Sequence, residues 1–316
     1  KELNQTVIFS SSCVGEEAIK KKNSLKEGEV LLLENLRFHK SEEKNDIEFS
    51  KNLSLGCDMY VNDAFSCSHR NHSSITGVTD FLPSFFGIHL KKEIDALENV
   101  LVDPKKPVVS IIGGSKVSTK IGIISNLLKK MDYIVIGGAM ANTFLAAIGN
   151  KIGKSLYEKE ALGIANEILE KGSKNNCKFI LPEDVMLSKK LEKNSKTLNV
   201  DINSIPDDMM ALDIGEKTVN NIKKVVDDCK TLLWNGPLGA FEVNPFDNGT
   251  NEVAKIVSTK TKEKSLISVA GGGDTISALN NAGVTDNFSY VSTAGGAFLE
   301  WLEGKRLPGI SVLHKQ

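Results

Sequence analysis

Two lysines four residues apart, Lys116 and Lys120, follow the turn Gly113-Gly114-Ser115 at the end of an apolar run. If a helix starts there, the spacing puts both ammonium groups on one face, where they repel each other unless an anion lies between them. A polyphosphate would suit that pair. Solvated surface lysines are the competing reading, because exposed lysines are common. Asp274 follows Gly271-Gly272-Gly273 at another expected helix start. A carboxylate there either caps the helix or holds a hydrated Mg2+, and the pattern alone weighs the two equally. Nearer the start of the chain, Arg37 and Arg70 sit just past apolar strand-like runs, placed to clamp a carboxylate or phosphate through the guanidinium fork. His69 and His72 flank Arg70, but helical metal pairs are more often four apart and no third ligand is evident, so they read as loop or anion contacts. The shared chemistry is the holding of small anions.

The elements that must position these residues form a recurring unit: a short apolar run, a glycine-rich turn, then a helix-like pattern. It occurs five times in the second two-thirds of the chain. Residues 107–112 lead into Gly113-Gly114-Ser115-Lys116, and residues 133–136 into Gly137-Gly138-Ala139. Residues 231–234 lead into Asn235-Gly236-Pro237-Leu238-Gly239, and residues 265–269 into Gly271-Gly272-Gly273-Asp274-Thr275. Last, residues 290–293 lead into Ala294-Gly295-Gly296. Continuous apolar strands are buried on both faces, which implies a parallel sheet sandwiched by helices. In such a sheet the strand-to-helix loops gather at the carboxyl edge, where backbone N–H groups and helix N-termini face anions. One glycine loop is weak evidence, since glycine often only relieves a tight turn; five on one edge carry more. No GxxxxGK[ST] is present, and Ile276 breaks a GxGxxG reading of the triple glycine.

The first third holds fewer such units, with strands expected at residues 7–9, 29–33 and 59–61. Between the two regions, residues 81–102 carry Ile94, Leu97 and Leu101 at i, i+3, i+7 with Lys91-Lys92-Glu93 on the polar side. This predicts a helix joining two α/β domains with a boundary near residue 90.

A chain of 316 residues, 41% hydrophobic and 25% charged, has the composition of about two globular domains. Its 39 basic and 40 acidic side chains leave a net charge of -1, which gives no global attraction to nucleic acid or an anionic membrane. The five cysteines are scattered and never form CxxC, as expected of reduced thiols in a cytoplasmic protein. No apolar run reaches membrane-spanning length and no signal-peptide pattern is present. No apolar repeat suggests an oligomer, so a monomer is expected. The chain begins at Lys1 and enters the apolar run Val7-Ile8-Phe9 almost at once, an odd place for a domain to start.

Taken together, these segments resemble the phosphoglycerate kinase family from end to end. The likeness rests on Leu32-Leu33-Glu34-Asn35-Leu36-Arg37-Phe38-His39, Val61-Asn62-Asp63-Ala64-Phe65, His69-Arg70, Gly113-Gly114-Ser115-Lys116-Val117, Trp234-Asn235-Gly236-Pro237, Gly271-Gly272-Gly273-Asp274-Thr275 and Leu307-Pro308-Gly309, in the family's order and spacing. The resemblance implies two doubly wound parallel-sheet (Rossmann-like) domains joined by a hinge helix. Residues 1–88 would be the remainder of an N-terminal phosphoglycerate-binding domain, 89–300 a C-terminal nucleotide-binding domain, and 301–316 a segment returning toward the first. It implies reversible phosphoryl transfer from 1,3-bisphosphoglycerate to Mg-ADP, giving 3-phosphoglycerate and ATP, with Mg2+ as cofactor and no nucleic-acid or membrane partner.

By the same resemblance, Arg37 and Arg70 hold the phosphoglycerate. Lys120 meets the nucleotide phosphates and Lys116 stabilises the transferring group. Glu242 binds the ribose, and Asn235 lies near the nucleotide phosphates. Gly272, Gly273, Asp274 and Thr275 form the phosphate and metal loop, with Asp274 the Mg2+ ligand, and the Gly295 and Gly296 amides face the transferring phosphoryl group. Such chemistry needs positioning and charge stabilisation but no nucleophilic Ser, Cys or His. It also needs a closure that excludes water, for which Ser292-Thr293 and the 81–102 helix are candidate hinges.

Three departures bear on this. The family's opening segment, a βα stretch with an Asp-x-Asn substrate loop, a catalytic arginine and a His-Leu-Gly-Arg loop, has no counterpart here. An incomplete acid site and the loss of a central strand in the first sheet are therefore expected. Ala211 stands where some members have glycine. Ala294 replaces the first glycine of the usual triple, which matters only if its φ must be positive. Two other readings compete: a non-catalytic nucleotide-binding protein of the same fold, and a dehydrogenase on a doubly wound sheet, disfavoured by the missing fingerprint.

Overall fold

Strand and helix alternate along much of the chain, as the glycine-punctuated apolar runs favour. The structure is a computed structural model and describes residues 3–315. The chain divides into two compact units, Lys1–Lys92 with Arg306–Gln316, and Glu93–Lys305. All five cysteines are free thiols.

The first unit runs β1 (Val7–Ser10), α1 (Glu16–Asn23), β2 (Val30–Leu33), α2 (Lys40–Glu43), α3 (Ile47–Ser54), β3 (Tyr60–Asn62) and β4 (Ser84–Phe86). β1 pairs parallel with β2, and β3 with β4, as two separate two-stranded sheets. Asp46 starts α3 by accepting the Phe49 N–H at 2.8 Å. That helix then buries Phe49 and Leu53 against Cys13 and Val78.

The helix expected over residues 81–102 is shorter at its start. It is α4 (Ile88–Leu101), and residues 84–86 are strand β4 instead. Pro83 disfavours helical geometry at Leu82. The aromatic pair Phe85-Phe86 then extends beside β3, where the Gly87 N–H reaches the Asn62 carbonyl at 2.8 Å. Asp63 accepts the Leu90 N–H at 2.8 Å in the first turn of α4. Leu90, Ile94, Leu97, Val100 and Leu101 form the buried stripe of α4.

The second unit continues β5 (Val108–Ile112), α5 (Ile121–Leu127), β6 (Tyr133–Ile136), α6 (Ala139–Ala147), α7 (Leu162–Lys174), β7 (Lys178–Ile180), β8 (Asp184–Ser188), β9 (Leu198–Asp201) and β10 (Met210–Ile214). It closes with α8 (Glu216–Asp228), β11 (Thr231–Asn235), α9 (Asn248–Lys262), β12 (Ile267–Gly271), α10 (Gly273–Asn281), β13 (Tyr290–Ser292) and α11 (Gly296–Leu302). Six strands form one sheet in the order β13-β12-β11-β5-β6-β7. Every pairing in it is parallel. β5 and β11 are buried at every residue, as their largely apolar sequences, VVSII and TLLWN, favour. Helix α8 shows the matching helical signature: Thr218, Ile222, Val225 and Val226 are buried, at i, i+4, i+7 and i+8.

A second, antiparallel sheet, β10-β8-β9, is not legible as a glycine-loop unit in the sequence. The last helix, α12 (Pro308–Ser311), belongs to the first unit, where the Gly309 N–H donates to the Ser68 carbonyl at 2.9 Å.

Candidate active site

The loops after β5, β6, β11, β12 and β13 all leave the same carboxyl edge of the six-stranded sheet, and three of them are tied together by side chains. Lys120 Nζ donates to the Asn235 side-chain oxygen, and Asn235 Nδ2 donates to the Gly271 carbonyl at 2.7 Å. The Thr275 hydroxyl donates to that same carbonyl at 2.9 Å and accepts the Gly236 N–H at 2.7 Å. Such tight stitching needs close backbone approach. A Cβ on Gly113 would stand 1.9 Å from the Pro237 oxygen, so only glycine fits there.

Lys120 and Lys116 are not on one helical face. α5 starts only at Ile121 with Lys120 as its N-cap, and Lys116 lies in the preceding loop with an exposed side chain. The physical reason is a turn, in which the Lys120 N–H bonds to the Val117 carbonyl at 2.8 Å while Val117 is fully buried. Burial pushes the Lys120 ammonium below its ordinary range, and the Asp274 and Glu303 carboxylates partly offset this. An arriving polyphosphate would favour its charged form further.

Asn235 and Thr275 are buried, with side chains committed to protein partners, so what they offer a ligand is a rigid frame. Gly272 has φ +99° at the N-cap of α10. The N–H groups of Gly273, Asp274 and Thr275 therefore begin a helix whose first turn has no internal acceptors. Gly295, with φ +54°, does the same for α11, whose first residue is Gly296. Ala294 is not among the residues with positive φ, so its replacement of glycine carries no strain.

Beside these loops lies a cavity of about 330 Å³. Leu156, Leu191, Met210, Ala211, Leu212 and Phe241 supply its apolar wall, and Gly114, Ser115, Glu242 and Asp274 its polar margin. One side is fixed by β10: the Ala240 N–H bonds to the Leu212 carbonyl at 2.8 Å. Behind it, buried Asp213 accepts the Gly249 N–H at 2.7 Å and the Ile214 N–H at 2.9 Å. Burial raises the Asp213 carboxyl to about 8 against those two bonds. An apolar slot with helix N-terminal amides and two exposed carboxylates, Glu242 and Asp274, at its margin suits a nucleotide.

No cluster of three or more His, Cys, Asp or Glu side chains able to hold a metal exists among the described residues. A lone Asp274 at the cavity margin still fits Mg2+, which is commonly held by one or two carboxylates together with substrate phosphates and water.

In the first unit Arg37 lies in a short 3-10 turn, Leu36–Phe38, started by the Asn35 side chain, and pairs with Glu43 at 3.5 Å. Arg70 is exposed. Both face His72. Burial lowers its imidazole first, Arg37 and Arg70 lower it further, and Glu42 and Glu43 oppose them. The His69 Nδ1 is buried without a partner. The loop carrying these groups is pinned to α2: buried Glu42 accepts the Ser74 N–H at 3.0 Å and the Ser74 hydroxyl at 2.5 Å.

Sequence reasoning missed the apolar wall of the cavity, since Leu156, Leu191 and Met210 lie outside any glycine loop. It also missed Asp213, whose only sequence signal is a charge among apolar residues in a strand.

Comparison with known proteins agrees with this geometry. The phosphoglycerate kinase family model matches residues 1–305. A phosphoglycerate kinase of Chelativorans sp. is 53% identical over 313 residues, 99% of this chain and 79% of the relative. One from Brucella melitensis is 52% identical over 315 residues, 100% and 80% of the two chains. The solved phosphoglycerate kinase of Coxiella burnetii superposes with a TM-score of 0.89 at 39% identity, covering 99% of this chain and 78% of that one. For that of Pyrococcus horikoshii the values are 0.82, 30%, 99% and 79%. A match of this identity over essentially the whole chain, on a fold with the same doubly wound parallel sheet, places the chain in the phosphoglycerate kinase family.

Proposed function

We propose that this chain acts in reversible phosphoryl transfer between 1,3-bisphosphoglycerate and Mg-ADP, with the nucleotide in the cavity of the second unit. The observation that carries this reading is the convergence of Lys120, the α10 N-terminus and Asp274 beside an apolar slot. The base would lie against Leu212 and Phe241, the ribose at Glu242, and the phosphates along the Gly272, Gly273 and Thr275 amides toward Lys120. Mg2+, arriving with the nucleotide and held by Asp274, would neutralise phosphate charge.

The attacking ADP oxygen is already anionic and the leaving group is a carboxylate, so no proton needs to be moved at the reacting atoms. The protein's task is to align donor and acceptor and to meet the equatorial oxygens with positive charge. We assign that task to Lys116 and to the Gly295 and Gly296 amides. Arg37 and Arg70 of the first unit would hold the phosphoglycerate. Transfer also requires the acid and the nucleotide to meet, which we assign to bending within α4 and at Ser292-Thr293.

The wider reading is a cytoplasmic monomer; no helix among the described residues is long and apolar enough to cross a membrane. A second reading is a nucleotide-binding body with weak acid affinity. It is favoured by the two separate two-stranded sheets of the first unit.

Calorimetric titration tests both readings. Mg-ADP should bind, and Lys120→Ala should weaken it by roughly thirtyfold, the loss of a charged hydrogen-bonding group worth about 2 kcal/mol. Arg37→Ala should leave Mg-ADP unchanged and weaken only 3-phosphoglycerate. A folded wild-type chain that does not bind Mg-ADP would overturn the assignment of Lys120, Glu242 and Asp274. Binding of Mg-ADP without 3-phosphoglycerate would select the second reading.

A further inference from the structure

Lys116 is the one proposed catalytic side chain that lies exposed in a loop, and the protein fixes that loop from both sides. On the near side, the Met140 N–H at the start of α6 bonds to the Gly114 carbonyl at 3.0 Å. On the far side Lys120 is held by Asn235. Between them, beside the buried Val117, Glu158 holds the loop by hydrogen bonds. Its carboxylate accepts the Ser118 hydroxyl at 2.6 Å and the Ser118 N–H at 3.0 Å.

Glu158 is itself anchored to a rigid element. Its own N–H donates to Thr143 Oγ1 at 3.0 Å, and Asn142 Nδ2 donates to the Leu156 carbonyl at 3.1 Å. Thr143 and Asn142 are buried side chains of α6. One helix thus holds the start of the lysine loop directly and its middle through Glu158. Burial works against the Glu158 charge, but the Ser118 hydroxyl, the Ser118 and Val117 N–H groups and nearby Lys116 hold its carboxyl below the usual range. It is therefore an ionised acceptor at neutral pH, the stronger kind of hydrogen-bond partner.

We propose that Glu158 is a positioning residue that clamps the 114–120 loop to α6 through Ser118 and so aims Lys116 at the transferring phosphoryl group. This rests on the assignment of Lys116 above. A group that orders a side chain in advance lowers the cost of reaching the competent geometry, and removing it acts only on the ligand that side chain touches. ATP carries the transferring phosphoryl group and ADP does not. Loss of the clamp should therefore weaken ATP and spare ADP.

The test is the pair of Mg-ATP and Mg-ADP dissociation constants for the wild-type chain, Glu158→Ala and Glu158→Gln, with amide hydrogen exchange of residues 114–120 in each. The expected result is roughly tenfold weaker Mg-ATP binding in Glu158→Ala, the size of a charge-assisted hydrogen bond. Mg-ADP affinity should stay unchanged, and exchange at Ser118 should be faster. Glu158→Gln keeps the volume and one acceptor, so it should fall between the two and covers the case in which the alanine variant folds poorly. Equal losses for both nucleotides, or none, would overturn the proposal. If the wild-type chain binds neither nucleotide, the reading of the cavity fails, and the exchange data alone decide the clamp: unchanged exchange in both variants sinks it.

Discussion

The two units bury similar strands to different depths. β5 and β11 of the second unit have all five residues buried, and β12 all but its first. In the first unit β1 has a single buried residue, Ser10, and β2 has none. Phe9, Leu32, Val61 and Phe85 are 50%, 58%, 51% and 52% exposed, where equivalent apolar residues in the second unit are covered. An apolar run states that a strand can be covered on both faces; whether it is depends on neighbours the run does not encode. The same contrast holds for the cations. Lys120 is part-buried and gripped by Asn235, whereas Arg37 is 40% exposed and pairs with the exposed Glu43. The second unit grips its proposed phosphate lysine, Lys120, whereas the first leaves its proposed acid-binding arginines, Arg37 and Arg70, exposed.

The largest expected effect follows from that contrast in burial. Trp234 is fully buried at the sheet centre and donates its indole N–H to the Gly236 carbonyl at 2.7 Å. Trp234→Ala should cost the second unit about 3–5 kcal/mol. Phe85→Ala, on a half-exposed strand face of the first unit, should stay within about 0.5 kcal/mol. Both tryptophans lie in the second unit, so in the Trp234 variant the fluorescence of Trp301 still reports that unit during guanidinium unfolding. Hydrogen exchange reads the first unit separately. Comparable losses from the two variants would break the comparison.

How far the sequence could be read follows the same division. The five glycine-loop units of the second unit lie in one parallel sheet, because each carries its strand and glycine turn within one short stretch, although after β11 the helix begins only at Asn248. Local signals suffice there. The β10-β8-β9 sheet was not legible, since its strands, all within residues 184–214, are joined by connections that lack the glycine turns marking the other units. Lys116 and Lys120 look like a helical pair by spacing alone, but Val117 is drawn into the core and turns the chain before the helix begins. The 81–102 helix starts late for a local reason, Pro83 and then the strand-forming Ser84-Phe85-Phe86. Asp213 and Glu158 could not be singled out, because an acid's role in holding a loop is visible only once the loop is beside it.

A more gradual effect, spread over several pH units, comes from the titration of Asp213. Burial raises its carboxyl to about 8, so the folded state keeps a proton that the unfolded chain gives up near the ordinary carboxylate range. Between those values the native state binds more protons, and stability falls as pH rises, by at most about 1.4 kcal/mol per pH unit for one group. The contribution is complete below the unfolded pKa and gone above the folded one. Unfolding of the second unit, followed by tryptophan fluorescence from pH 5 to 9, should show this slope, and Asp213→Asn should flatten it. An unchanged slope in the variant would mean that the Gly249 and Ile214 N–H groups keep Asp213 ionised and that the cavity wall rests on a charge.

His72 offers the corresponding probe in the first unit, with the smallest signal. Its imidazole is lowered by burial first and then by Arg37 and Arg70, while Glu42, 3.9 Å from Nδ1, pulls the other way. The folded state therefore prefers neutral His72. That preference stabilises the first unit fully above the unfolded pKa and is lost as pH falls through the lowered folded value. Arg37→Ala removes one of the depressing charges, so the His72 resonance should titrate at higher pH in a proton NMR series. Saturating 3-phosphoglycerate should move it the same way, because an anion between the arginines screens both. Lys120→Ala, in the other unit, should leave it unmoved. A His72 titration indifferent to Arg37 would separate the arginines from the histidine loop. The first unit would then lose its anion site, while the nucleotide cavity of the second would stand untouched.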